Sequence, residues 1–149
     1  MESKLSWLLV FLLLAVGCRQ VEKYGGNQKT DEEAIRKVLD AEQIAWNNGD
    51  LEAFMDGYWK SDSLQFMSFR GVNHGWKETL EGYKKGYPDR AAMGTLSYEV
   101  MKITRLSSNN YVVSAKFHLT RASGGLDGII TLIFQKIDGR WVAVYDHTS

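Results

Sequence analysis

Five side chains have the types and the positions that acid–base chemistry on a small molecule requires. Glu42 interrupts the apolar stripe of a predicted helix, and Asp146 and His147 end an otherwise apolar segment. A carboxyl or imidazole group that is shielded from water has a shifted pKa, which suits it to proton transfer. Tyr58 and Tyr83 could donate hydrogen bonds to negative charge developing on a substrate oxygen. The catalytic candidates are therefore Glu42, Asp146 and His147, with the choice among them open.

Each candidate also has a structural interpretation. Glu42 could lie at the edge of its helix and reach water or an arginine, because buried carboxylates are rare. Adjacent strand residues point to opposite faces, so at most one of Asp146 and His147 faces the interior unless the strand bulges. We predict a cavity that holds Glu42 with either partner. Its predicted ligand-binding residues are the aromatic side chains Trp46, Tyr58, Trp76 and Tyr83.

Composition and motifs argue against other classes of site. Lys plus Arg and Asp plus Glu are balanced at 18 each, and no basic run offers nucleic acid a binding surface. The three histidines are far apart and lack metal-ligand spacing, so no metal site is predicted. The sequence also lacks a nucleophile elbow and a phosphate-binding glycine loop before a helix. No cofactor is expected.

Hydrophobic periodicity predicts the elements that would position these residues. Helices are predicted over residues 31–47, 51–58 and 76–87, the first beginning at a capping box from Thr30 to Glu33 and the second capped by Asp50. Strands are predicted over residues 64–69, 96–105, 111–121, 128–137 and 141–147, with residues 71–75 as a turn. Helices followed by long antiparallel strands indicate an α+β domain, with helices packed on one face of a curved sheet.

The first residues differ in kind from the rest. An apolar run over residues 5–16 follows Lys4 and is too short for the roughly 20 residues of a membrane-spanning helix, so it is typical of an export signal. It ends in Leu14-Ala15-Val16-Gly17-Cys18, which resembles a bacterial lipoprotein signal cleaved before a cysteine that is then acylated. The alternative is a simple secretory signal that leaves a free thiol. The predicted regions are a signal peptide (1–17), a polar tether (18–29) and one domain (30–149).

Several strings in the domain resemble the SnoaL-like branch of the nuclear transport factor 2-like superfamily. They are Trp46-Asn47-Asn48-Gly49-Asp50-Leu51, Phe54-Met55-Asp56-Gly57-Tyr58-Trp59, Gly75-Trp76, Tyr87-Pro88 and Asp146-His147-Thr148-Ser149. The resemblance covers about residues 31–149. It implies a cone, in which about three N-terminal helices close one side of a strongly curved, mostly antiparallel sheet around a pocket, often as a homodimer.

The fold alone does not select an activity. The resemblance and the residues together favour an exported, lipid-anchored protein of the bacterial cell envelope that binds a small, largely apolar molecule. One alternative is an enzyme of the isomerase, cyclase, dehydratase or hydrolase type, although the active-site patterns of the family's isomerases and epoxide hydrolases are not matched residue by residue. A non-catalytic assembly module is the other alternative.

Overall fold

The computed structural model describes residues 26–149 of the chain. The predicted export signal, Cys18 and most of the predicted tether lie outside these residues. Within the described part of the chain, no helix is long and apolar enough to cross a membrane.

The first helix, α1 (Gln28–Asn48), begins earlier than the sequence suggested. Its N-cap is Asn27, whose side chain accepts a hydrogen bond from the backbone N–H of Lys29 at 3.1 Å. The predicted capping box from Thr30 is therefore wrong, because asparagine is an equally good N-cap and lies upstream. At the other end Gly49 adopts φ 80°, the left-handed conformation in which glycine ends helices.

Short helices follow α1 and contribute buried residues to the same core. Asp50 caps α2 (Leu51–Phe54) as predicted, since its carboxylate accepts from the backbone N–H of Ala53 at 2.9 Å. A 3₁₀ turn (Met55–Gly57) continues α2, and α3 (Trp76–Gly86) forms close to its predicted position. A further short helix, α4 (Arg90–Met93), was not predicted.

Six strands form one mixed sheet in the order β2-β1-β6-β5-β4-β3. Their bounds are Gln65–Ser68, Gly71–His74, Thr95–Arg105, Asn110–Thr120, Leu126–Ile137 and Arg140–Thr148 for β1 to β6. Neighbouring strands are antiparallel except β1 and β6, which are parallel. The predicted α+β fold with helices on a curved, mostly antiparallel sheet is confirmed.

Strand β2 corrects the predicted turn over residues 71–75. Its backbone pairs with β1, for example Asn73 opposite Phe66, and it forms one edge of the sheet. An exposed edge strand needs no alternation of apolar and polar residues. The composition of β2 therefore resembles that of a turn. In contrast, the predicted Asp138-Gly139 hairpin turn is present, with both residues at positive φ.

The core lies between α1 and the concave face of the sheet. Ile35 and Leu39 of α1 are buried together with the inward residues of β4, such as Val113 and Ala115. The burial of β4 alternates strictly along its length, which is the pattern of a strand with one face on the core and the other facing outward. This packing fixes which side of α1 faces the sheet and therefore where Glu42 points.

Candidate functional site

Glu42 lies inside the domain, on the face of α1 that packs against the sheet. Its side chain is 1% exposed, so the interpretation as a helix-edge residue reaching water is wrong. Neither carboxyl oxygen has a hydrogen-bond partner within residues 26–149. Burial raises the pKa of Glu42 well above its ordinary value, and the nearby Asp146 raises it further. The neutral, protonated form of Glu42 is therefore favoured relative to that of an exposed glutamate.

Gly57 makes room for this carboxyl. A methyl group added at Gly57 would overlap the Glu42 side chain, approaching its Cδ to 2.7 Å and its Cγ to 2.8 Å. Such an approach is closer than van der Waals contact allows. The 3₁₀ turn that ends at Gly57 thus passes directly against the Glu42 carboxyl, and it places the next residue, Tyr58, beside the same site.

Asp146 is the second buried carboxyl, at 2% exposure, and unlike Glu42 it is fully engaged. The Tyr58 hydroxyl donates to its Oδ2 at 2.7 Å, and the Thr148 hydroxyl donates to its Oδ1 at 2.8 Å. Burial raises its pKa to about 6, while the hydrogen bonds from Tyr58 and Thr148 oppose that rise. Asp146 is thus largely ionised at pH 7 but close to its titration range.

A β-bulge decides that Asp146, rather than His147, faces the interior. In the pairing of β5 with β6, Ile133 lies opposite Tyr145 and Phe134 opposite Ala143, so Val144 has no partner. Ala143 is buried, and simple alternation from it would turn His147 inward. The extra residue shifts the phase by one, which places Asp146 inside and leaves His147 exposed on the outer face.

Three tyrosines surround the two carboxyls. Burial raises the pKa of Tyr58, Tyr83 and Tyr98 well above its ordinary value, and the charge of Asp146 raises each of them further. For Tyr98, the influence of Glu42 exceeds that of Asp146. Tyr98 was not predicted as a site residue. It lies two residues after buried Leu96 on β3 and so shares its face of the sheet, and this inward position was the signal available in the sequence.

Aromatic rings pack beside the carboxyls in edge-to-face contacts. Trp46 contacts Phe54 at 5.2 Å, Tyr83 at 5.9 Å and Tyr87 at 4.8 Å between ring centroids. Tyr83 also meets Phe66, at 5.5 Å, and Phe66 lies opposite Asp146 in the parallel pairing of β1 with β6. The predicted residues Trp46, Tyr58 and Tyr83 are therefore gathered in one region with Glu42 and Asp146.

Trp76 lies in a different environment. Its indole N–H donates to the backbone carbonyl of Met55 at 2.7 Å, and the Lys60 ammonium group lies 5.2 Å from its ring centroid. These contacts attach α3 to the 3₁₀ turn. They give no support to the predicted ligand contact of Trp76, which stays a prediction.

Two surface depressions lie away from the carboxyls, since neither Glu42 nor Asp146 lines them. One, of about 410 Å³, is lined by residues 48–52 and Lys84. The other, of about 240 Å³, includes Tyr87 and Met93 in its wall. Both of these residues contact Trp46, through its ring and its indole N–H respectively. Trp46 therefore lies directly behind the wall of the second depression.

The arrangement joins a proton donor to a proton acceptor. Burial favours the protonated form of Glu42, while Asp146, with a pKa of about 6, is largely a carboxylate at pH 7. Both carboxyls raise the pKa of Tyr58, so they share one electrostatic environment. Two carboxyls with separated pKa values suit acid–base chemistry. Within residues 26–149, no three His, Cys, Asp or Glu side chains come together as a metal site would require.

Comparison with known proteins relates the chain to solved structures. An NTF-2-like protein of unknown function from Shewanella oneidensis MR-1 is 39% identical, with a TM-score of 0.77, over 80% of this chain and 98% of that protein. A ketosteroid isomerase-like protein from Erwinia carotovora atroseptica SCRI1043 is 19% identical, with a TM-score of 0.62, over 78% and 93% of the two chains. An NTF2-like protein of unknown function from Pseudomonas putida KT2440 is 14% identical, with a TM-score of 0.66, over 83% and 89%. No protein-family model and no curated protein matches the chain.

Proposed function

The chain belongs to the nuclear transport factor 2-like superfamily, and on that basis we propose that it binds a small, largely apolar molecule between its helices and its sheet. The ligand's polar end reaches Glu42, and its apolar body lies among the rings around Trp46 and Tyr83. The observation that carries the proposal is the buried Glu42 carboxyl without a partner. A buried polar group left unsatisfied costs about 1–3 kcal/mol, and a ligand would offset that cost.

Acid–base catalysis on the bound molecule is a second candidate function. It is favoured by the pairing of Glu42, whose pKa burial raises well above its ordinary value, with Asp146, whose pKa lies at about 6. In this mechanism Glu42 protonates a substrate oxygen while Asp146, held by Tyr58, accepts a proton. The ketosteroid isomerase-like neighbour has the same fold, but its low identity extends no activity to this chain.

A thermal-shift screen tests the binding proposal. The purified full chain is incubated with small apolar metabolites, including carbonyl-containing ones, and its melting temperature is measured. A ligand that binds only the native state must raise that temperature. We expect the rise to disappear in Glu42→Gln and to persist in Glu33→Gln, a matched control because Glu33 lies on the same helix but is exposed. Equal rises in all three proteins would place binding elsewhere and contradict the proposal.

We also propose that the chain is exported and anchored to a membrane through an acylated Cys18, as a member of the SnoaL-like branch. The short apolar run and the lone cysteine support this proposal. Attachment is tested by replacing Cys18 with Ser and fractionating the cells. The parent is expected in the membrane pellet and the variant in the soluble fraction, and a variant that stays in the pellet would refute the anchor.

The outer face of the sheet is proposed to form a homodimer. This face carries Met67, Val112 and Ile133, which are only partly covered, and Ile129, which is 48% exposed. Apolar side chains on a second sheet face are typical of an interface. Light scattering at micromolar concentration tests the proposal. We expect the parent to be dimeric and Ile133→Lys to be monomeric, whereas a monomeric, folded parent would rule out the dimer.

A further inference from the structure

We propose that the site at Glu42 takes a small organic amine, which binds as its ammonium ion and pairs with the Glu42 carboxylate. This inference rests on the proposed small-molecule site and adds the charge of the ligand. It starts from the buried Glu42 carboxyl, whose two oxygens lack any hydrogen-bond donor within residues 26–149. An ammonium group supplies up to three donors to such a carboxyl.

The groups that face Glu42 are three neutral tyrosines and one carboxyl, Asp146, which is the source of negative charge among them. Tyr58 faces it from the 3₁₀ turn, Tyr83 from α3 and Tyr98 from β3, while Asp146 faces it from β6. None of these groups carries positive charge. In the described part of the chain, no lysine or arginine shifts the pKa of Glu42 or Asp146.

His147 acts on Asp146 from the outer face of the sheet, because its side chain is exposed there. A buried site with two carboxyls and no buried cation repels anionic ligands and attracts cationic ones. Charge complementarity therefore selects an amine over a carboxylate of the same shape.

The aromatic rings favour the same class of ligand. Trp46, Phe54, Phe66 and Tyr83 are joined by ring contacts within 6 Å and border the carboxyls. Aromatic faces attract organic cations, most strongly when water is excluded, and tryptophan is the most effective ring. A hydrocarbon substituent on the amine would pack on the same rings. The rings thus supply affinity for both ends of an aryl or alkyl amine.

Binding releases a proton wherever free Glu42 is protonated. Burial favours that form in the free protein, and the amine arrives already protonated. When the ammonium group pairs with Glu42, the carboxyl O–H bond breaks and its proton passes to solvent, while the ligand keeps all of its protons. By linkage, the affinity rises up to tenfold for each pH unit while free Glu42 stays protonated and the amine stays charged. A neutral ligand carries no such dependence, and a carboxylate ligand binds more weakly as pH rises.

Isothermal titration calorimetry on the purified full chain tests the ligand's charge. The probes are benzylamine, benzyl alcohol and benzoate, which share one ring and differ in their polar group. Titrations at pH 6 and pH 8, each in two buffers with different heats of ionisation, measure the protons released. We expect benzylamine to bind most tightly, to bind more tightly at pH 8 than at pH 6, and to release protons on binding.

Glu42→Gln is expected to weaken benzylamine binding at least tenfold and to abolish proton release, while Glu33→Gln leaves both unchanged. The proton count in the parent protein needs no variant, so it decides the question even if Glu42→Gln fails to fold. If benzyl alcohol or benzoate binds more tightly and depends on Glu42, the amine is overturned but the small-molecule site survives. If no probe binds at millimolar concentration, the proposal of an amine ligand is overturned. The thermal-shift screen with metabolites tests the small-molecule site separately.

Discussion

The helix α1 contains two buried carboxyls in two different regions of the molecule. Asp31, near the start of the helix, is 5% exposed and Glu42, further along, is 1% exposed. Asp31 lies 3.4 Å from the Lys136 ammonium group, and the Tyr111 hydroxyl donates to it at 3.5 Å. Glu42 has no such partner within residues 26–149. The same helix therefore satisfies one buried carboxyl and leaves the other unsatisfied.

This difference distinguishes Asp31, which makes structural contacts, from Glu42, which belongs to the candidate functional site. The Asp31 carboxylate has partners in the fold, and its contacts attach the start of α1 to strands β4 and β5. The Glu42 region lowers stability, since it buries a polar group without satisfying it. Proteins retain such groups where function requires them. Four experiments test this distinction.

The largest expected effect concerns Asp146 and pH. Its folded-state pKa, about 6, exceeds the ordinary 3.8, so the folded protein holds this proton more tightly than the unfolded chain does. The contribution to stability is complete below pH 3.8 and is lost as pH rises through about 6. It amounts to about 3 kcal/mol, since one pKa unit corresponds to about 1.4 kcal/mol. Urea unfolding of the parent and of Asp146→Asn from pH 4 to pH 7 measures it, and a pH-independent difference between the two proteins would contradict it.

Gly57→Ala should lower the free energy of unfolding by about 2 kcal/mol, because the added methyl group overlaps the Glu42 carboxyl. The same substitution in a Glu42→Ala background should cost much less, since the clash is gone. The comparison is a double-mutant cycle by urea unfolding. Equal losses in both backgrounds would mean that Gly57 is needed for its own backbone and not for the carboxyl.

Glu42→Met should raise the free energy of unfolding by about 1–2 kcal/mol, because an apolar side chain of similar length replaces an unsatisfied polar one. Glu33→Met, on the exposed side of the same helix, is the control and should change little. Thermal and urea unfolding measure both variants. A loss of stability in Glu42→Met would show that the carboxyl has a structural partner after all. Glu42 would then have a structural role, as Asp31 does.

Asp31→Asn should lower the free energy of unfolding by about 1 kcal/mol, since it removes the charge that faces Lys136. The effect is modest because the Lys136 side chain is 39% exposed and screened by water. The loss should shrink in 1 M salt, where Coulomb attraction is weaker. If Asp31→Asn were stabilising, as we expect of Glu42→Met, the contrast between the two carboxyls would fail.

The sequence predicted most of the architecture, because period and capping chemistry are local. The Asp50 cap, the Asp138-Gly139 turn and the four long strands all depend on residues close together in the chain. The start of α1 was missed because Asn27 and Thr30 are both good caps, and only the fold chooses between them. Strand β2 was missed because its order comes from pairing with β1 rather than from its own residues.

The site was predictable only in part. Glu42 and Asp146 could be found because each places a carboxyl among apolar residues. The choice between Asp146 and His147 could not be made, since it depends on a bulge that no local sequence pattern indicates. Gly57 escaped notice because its role is to leave space for a residue that is distant in sequence. Tyr98 resembles any other strand tyrosine until its neighbours are known.

The bulge at Val144 also has an evolutionary consequence. Because β6 carries one residue more than its partner β5, the deletion of one codon there would restore plain alternation. Asp146 would keep its inward position opposite Leu132, because only Tyr145 would then separate it from the inward Ala143. A descendant could thus lose the bulge and keep the same carboxyl in the interior. One residue at this point changes the local twist of the strand and leaves the chemistry of the interior as it is.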